Sequence, residues 1–302
     1  MNILITGGRG LVGSDLTQNL LNGDHKVRHL SRSKRAIDNI EVFEWDIEKG
    51  KMDQSAVENL DAIIHLAGES VADKKWSAKQ KAKIISSRTD SARLLFDAVS
   101  KLKKKPSVFI SASGVGYYGI DTKEELMTEE SEKGDGFLSD VVEEWEKSVD
   151  KFSALGIRTV KLRIGLVLAK NGGALPKMAL PVKFFIGSPL GTGKQQISWI
   201  HINDLVELIN YAVYNKDIEG VYNAVSSDPV TNSEMTRSIA NALGKPLFMP
   251  NVPSFVLKLL LGEMSVIVTG GNKVSNRKIK STGFNFQNEN LDETLSQILN
   301  DN

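Results

Sequence analysis

The sequence predicts an α/β fold, a doubly wound parallel sheet with a smaller, mainly helical C-terminal lobe. Three observations predict it. Apolar runs alternate with helical periodicity through the first half of the chain, the first run ends in a glycine-rich turn that opens a helix, and the pattern changes beyond residue 172. Strands separated by helices pair in parallel and are covered on both faces. A ligand crevice then lies beyond the carboxyl ends of the strands, so chemistry is expected in the loops that follow them.

The first strand, 3–6, runs directly into Gly7-Gly8-Arg9-Gly10-Leu11-Val12-Gly13, with three glycines at three-residue spacing. Leu16, Leu20 and Leu21 follow at helical spacing and predict a helix over 11–22. The open N-terminus of such a helix offers free N–H groups and a positive dipole end to a pyrophosphate, and glycine lets the phosphate approach the main chain. A glycine triplet alone often does no more than turn. Its place between a strand and a helix marks a dinucleotide site, with Gly7, Arg9, Gly10, Leu11, Val12 and Gly13 as its contacts.

The second strand, 26–30, ends in Leu30-Ser31-Arg32-Ser33-Lys34-Arg35, and no carboxylate follows before Asp38. An acidic residue here holds the 2′-hydroxyl of NAD, whereas an arginine suits a 2′-phosphate. Ser31 and Arg32 therefore predict NADP(H); the alternative is a surface arginine in a basic turn. Asp46, closing the third strand (41–45), fits either the adenine amine or a turn cap. The fourth strand, 62–66, leads to Leu66-Ala67-Gly68-Glu69, where small residues let the main chain pass close under a cofactor or simply turn tightly. Strands at 107–112 and 159–168 and helices at 77–102 and 137–155 complete the alternation.

Beyond residue 172, prolines and glycines become frequent and helices dominate. Residues 1–170 form the expected cofactor domain, with 202–225 folding back onto it. Residues 171–302 form the expected substrate lobe and a C-terminal helical module. A net charge of +1 offers no basic field for nucleic acid or a membrane surface. The absence of cysteine excludes disulfides, thiolate catalysis and Cys-based zinc sites. No segment has the roughly 20 apolar residues of a membrane helix, and the apolar N-terminus reads as a strand rather than a secretory leader. The expectation is a cytoplasmic protein with a small-molecule substrate and no metal.

Five motifs occur in order: the glycine turn, His65-Leu66-Ala67-Gly68, Ile110-Ser111-Ala112-Ser113, Arg163-Ile164-Gly165 and Trp199-Ile200-His201-Ile202-Asn203-Asp204. So arranged, the chain resembles the extended short-chain dehydrogenase/reductases of the sugar-nucleotide epimerase/dehydratase type. It is most similar to their atypical, epimerase-like subgroup, through Gly68-Glu69-Ser70-Val71-Ala72, Ser87-Arg88, Tyr117-Tyr118-Gly119, Trp145-Glu146, Gly172-Gly173-Ala174-Leu175, Leu261-Gly262-Glu263-Met264 and Gly283-Phe284-Asn285-Phe286. The resemblance implies a Rossmann-type domain, cofactor contacts from Ser111, Arg163 and Gly165, and possible homodimerisation through the two long helices.

It also implies a serine after the fifth strand that polarises the substrate, and a tyrosine with a lysine four residues later that moves the proton. Ser113 matches the serine, with the end of a strand as its plainer role. The pair is absent: residues four positions after the five tyrosines are Asp121, Thr122, Asn215, Ile218 and Ser226. Phe137 or Leu138 stands where the tyrosine belongs, and neither transfers a proton. Positioned acid–base catalysis contributes about 10²–10⁴-fold, while hydride capacity belongs to the cofactor. Two repairs are open: a phenol from Tyr117 or Tyr118, with packing as the alternative role of both, or a carboxylate such as Glu69. The sequence thus supports an NADP(H)-dependent oxidoreductase or epimerase, with a non-catalytic NADP(H) sensor as the alternative.

Overall fold

The computed structural model of the protein describes residues 1–33, 39–226 and 228–300; Lys34, Arg35 and Asp38 of the basic turn lie outside them. Seven strands run parallel in one sheet: β1 (Asn2–Thr6), β2 (Lys26–Ser31), β3 (Glu41–Asp46), β5 (Ala62–His65), β6 (Val108–Gly114), β8 (Arg158–Ile164) and β12 (Gly220–Ala224). An eighth, β4 (Lys51–Met52), pairs antiparallel at the edge with β3. The spatial order is β12-β8-β6-β5-β1-β2-β3-β4. The chain therefore builds outward from β1 in one direction and from β5 in the other. That reversal opens the crevice at the carboxyl ends of β1 and β5.

Alternation along each strand divides the core between the two faces. Ile3, Ile5, Ile64 and Ile110 face helices α1 (Leu11–Asn22) and α5 (Ile202–Tyr214), packing on Leu16, Leu20, Leu205 and Ile209. Leu4, Ile63 and Phe109 face α2 (Ala78–Ser100) and α3 (Phe137–Asp150), where Leu95, Val99, Trp145 and Val149 close the layer. Phe109 stacks on Phe152 with centroids 3.8 Å apart. Each helix begins where the sequence stops favouring extension. Ser77 caps α2 by accepting from the Gln80 N–H, and His201 caps α5 by accepting from the Asn203 N–H.

The stretch 159–168 is two strands rather than one. It breaks at Gly165 between β8 and β9 (Leu166–Leu168), where the Leu166 N–H donates to the Ser198 carbonyl at 2.8 Å; that oxygen lies 2.4 Å from where a Cβ on residue 165 would stand, so only glycine fits. The second segment pairs instead with β11 (Trp199–His201). β6 extends two residues past 112, so Ser113 lies within a strand and not in the loop after it.

The C-terminal region is more than a cap. Helices α4 (Leu175–Lys183), α6 (Asn232–Ala242) and α10 (Leu291–Asn300) make a separate apolar cluster around Met235, Ile239 and Leu295. Ile279, Phe284 and Phe286, however, enter the core of the large sheet beside α1 and α5. The Asp204 carboxylate of α5, 2% exposed, accepts from the backbone N–H groups of Gln287 and Asn288, both at 2.9 Å. Among the described residues no helix is long and apolar enough to cross a membrane.

Candidate active site

The glycine turn is shaped by close approach of backbone to backbone. Gly7 has φ +73°, and a Cβ there would stand 2.9 Å from the Ala67 nitrogen and the Leu66 carbonyl. A Cβ on Gly13 would meet the Gly7 oxygen at 2.2 Å, so α1 can begin tight against β1 only with glycine there. Gly10 is the N-cap of α1 and donates to the Gly7 carbonyl at 2.8 Å, leaving the first N–H groups of the helix without side-chain caps. Beside Gly10 and Leu11 a cleft of about 730 Å³ runs to Gly172, Gly173, His201 and Asn203.

A buried polar lock sets the loop after β5 against this turn. Thr6 Oγ1 lies 2.7 Å from His65 Nδ1 and accepts from the Ala67 N–H at 3.2 Å; Ser91 Oγ lies 3.2 Å from His65 Nε2. Burial pushes the His65 pKa down to about 4, so the ring is neutral at pH 7 and bonds as an uncharged group. Leu66 and Ala67 thereby come against Gly7. Sequence reasoning quoted His65 without giving it this role; the signal was a polar residue ending each of two adjacent strands.

At the far end of the turn, Arg9 Nη1 reaches to 3.5 Å from Ser33 Oγ, beside exposed Arg32 and half-buried Ser31. Asp46 closes a turn: its carboxylate accepts from the Lys49 N–H at 3.0 Å, which holds its pKa below the usual range.

The expected catalytic residues are divided by their partners. On the α3 side of the sheet, Ser113, Arg163 and Asn223 lie in register on β6, β8 and β12. The Glu146 carboxylate of α3 accepts from Ser113 Oγ at 2.6 Å and from Arg163 Nε and Nη2 at 2.8 and 2.9 Å. Arg163 Nη1 donates to the Tyr118 hydroxyl at 3.1 Å, and that hydroxyl donates to Asn223 Oδ1 at 2.7 Å. All five side chains are buried. Burial raises the Tyr118 pKa, which keeps the phenol neutral. Ser113 and Tyr118 thus spend their hydroxyls on structure, and Arg163 is turned into this network by the Glu146 fork. Ser111 is fully buried and donates to the Ala112 carbonyl, and Gly165 packs on Ser198 and Val225.

Tyr117 differs from Tyr118. Its half-buried ring lies 3.4 Å from the Arg163 guanidinium carbon, and among the described residues its hydroxyl has no hydrogen-bond partner. The Glu69 carboxylate lies 3.7 Å from Lys74, 3.8 Å from Lys83 and 3.4 Å from the Gln80 amide. Phe137 packs edge-on against Trp76, centroids 4.8 Å apart, with the Lys81 ammonium over its ring.

Comparison with known proteins gives this geometry a setting. The NAD dependent epimerase/dehydratase family matches residues 3–136, and a domain of unknown function, DUF1731, matches 252–298. The epimerase family protein YfhF of Bacillus subtilis is 37% identical over 100% of this chain and 99% of its own. An epimerase family protein of Staphylococcus aureus, SAR0825, is 34% identical over 98% of both chains. Among solved structures, the human epimerase family protein SDR39U1, with NADPH, superposes with a TM-score of 0.89 at 29% identity over all of both chains. The nucleoside-diphosphate sugar epimerase of Corynebacterium glutamicum gives a TM-score of 0.81 at 29% identity over 99% of this chain and 58% of that one.

Proposed function

The chain belongs to the NAD-dependent epimerase/dehydratase family, and from that premise we propose an NADP(H)-dependent oxidoreductase or epimerase acting on a small polar, sugar-nucleotide-like substrate. One observation carries the reading: the α1 N-terminus is opened by Gly7, Gly10 and Gly13 and faces a cleft, with Arg9 reaching Ser33, the residue after Arg32, just beyond β2. A dinucleotide fits these residues, its pyrophosphate on the helix N-terminus and its 2′-phosphate between the arginines. The NADPH in the human relative supports the same choice of cofactor. Bound here, the nicotinamide supplies or accepts the hydride.

The chain's own residues do the rest. The Thr6–His65–Ala67 lock holds the β5 loop under the cofactor site. Tyr117, whose hydroxyl is not spent on the protein and whose ring stands against the Arg163 guanidinium, is the group we assign to proton transfer. A sensor without turnover is the second reading, favoured by the commitment of the Ser113 hydroxyl to Glu146.

Titration with NADPH and NADH tests the cofactor: NADPH binds at least about ten-fold tighter, and Arg32→Ala removes that preference. NADPH oxidation across carbonyl compounds and sugar nucleotides tests the chemistry, with Tyr117→Phe lowering turnover by about 10²–10⁴-fold. Failure to bind NADPH overturns the reading. Binding without turnover on any compound selects the sensor, and an unchanged Tyr117→Phe rate removes that residue from the mechanism.

A further inference from the structure

Arg88 is a second arginine at the crevice whose surroundings differ from those of Arg163. It projects from α2 to the loop that follows β5, where ligands collect in this class of sheet. Its Nη1 donates to the carbonyls of Glu69 at 3.0 Å and Ile84 at 2.8 Å and reaches Ser87 Oγ at 3.5 Å. Among the described residues, Nε and Nη2 have no hydrogen-bond partner, and no carboxylate lies within ion-pair distance. The Glu69 carboxylate is instead flanked by Lys74 and Lys83, so one negative charge stands among three positive ones.

The guanidinium is also held by contacts to its face. Its carbon lies 5.0 Å from the centre of the Trp145 ring. A Cβ at position 68 would stand 3.0 Å from that carbon, 3.2 Å from Nη2 and 3.3 Å from Nε. That position lies over the face of the guanidinium, so glycine lets the loop backbone pass across the face while the Nε–Nη2 edge keeps no hydrogen-bond partner among the described residues. Burial lowers the Arg88 pKa to about 10, which leaves the group charged at neutral pH and short of a counter-charge. A planar fork of this kind matches the two oxygens of a carboxylate or phosphate.

We propose that Arg88 anchors an anionic oxygen group, carboxylate or phosphate, of the substrate at the mouth of the β5 loop. This deepens the reading of the crevice as a dinucleotide-dependent active site and rests on it. It narrows the substrate class to oxyacids or phosphate esters.

The test is calorimetric titration of the full chain, free and loaded with NADPH, using three probes: oxamate, its neutral counterpart oxamide, and inorganic phosphate. Oxamate or phosphate binds at least about ten-fold tighter than oxamide, and Arg88→Gln abolishes the difference. Preference for oxamate identifies a carboxylate, and preference for phosphate identifies a phosphate. Arg88→Lys keeps the charge but loses the fork, and retains only part of the effect. Should the Gln variant lose its fold, Arg88→Lys carries the test alone, and an anion preference equal to that of the unaltered chain then overturns the proposal. Anion affinities that ignore both substitutions overturn the proposal, as does an Arg88→Gln loss that falls on NADPH alone. A chain that takes NADPH but no anion refutes this inference and leaves the proposed function standing. A chain that takes no NADPH refutes the proposed function, while the anion titration of the free chain still reads Arg88.

Discussion

The two sides of the crevice are built by opposite means. On the β1 side, Gly7 and Gly13 let backbone pack on backbone, and the first turn of α1 is left open. On the β8 side, side chains fill the space and satisfy one another: Ser113, Glu146, Arg163, Tyr118 and Asn223 form one buried hydrogen-bonded row. The first arrangement leaves N–H groups available to a ligand; the second leaves very little over. Buried polar groups in such rows fix geometry because an unmade bond there is costly. What the comparison teaches is that donor capacity, rather than residue type, separates binding residues from supporting ones. The Ser113 and Tyr118 hydroxyls each donate within this row, to Glu146 and Asn223.

The largest expected effect is on the β8 side. Glu146→Ala strands the Arg163 guanidinium, 3% exposed, without its carboxylate. A loss of about 3–5 kcal/mol in denaturant unfolding is expected, since a buried charge is then uncompensated. Replacing both partners by Glu146→Leu with Arg163→Met recovers most of that loss if the row serves stability alone. Failure of the double variant to recover locates a further constraint in Tyr118 or Asn223.

Next in size is the pH response of the lock between the sides. His65 titrates near 4 in the folded protein and near 6.5 unfolded. Between those values the unfolded chain binds more protons, so stability rises with pH. The contribution, about 3 kcal/mol, is complete above about pH 6.5 and lost as pH falls toward 4. Unfolding curves from pH 7 to 4 check this, and His65→Gln flattens part of the slope. A slope unchanged by that substitution assigns it elsewhere.

The smallest stability effect falls on the β1 side, where it is also the most damaging to binding. Gly13→Ala forces α1 away from the Gly7 carbonyl, at about 1–3 kcal/mol for overpacking. NADPH affinity in the same variant falls by more than its stability accounts for. Equal loss at Gly13 and at a control site on the far face of α1 erases the distinction between the two sides.

The legibility of the chain follows the same division. The glycine turn was readable because its information is local: three glycines, a strand before and a helix after. The missing tyrosine–lysine pair was readable for the same reason. The Glu146–Arg163 fork was not, because its members lie 17 residues apart on a helix and a strand, and periodicity says nothing about which charges meet. The break at Gly165 was hidden too, since there the next N–H bonds to the carbonyl of Ser198, far along the chain. Arg88 stood in plain view within Ser87-Arg88, but only its unused nitrogens give it a meaning, and those exist in three dimensions alone.

The Asp204 clamp on Gln287 and Asn288 bears on how the protein is made. The sheet core includes Ile279, Phe284 and Phe286, which follow α5 far along the chain. A nascent chain can form the β1 turn early, yet part of the apolar face of α5 stays bare until residues 279–286 have been synthesised. Long-range closure of this kind is slow and exposes sticky surface while it waits. Chains that stop short of residue 276 are therefore aggregation-prone intermediates rather than smaller cofactor-binding proteins.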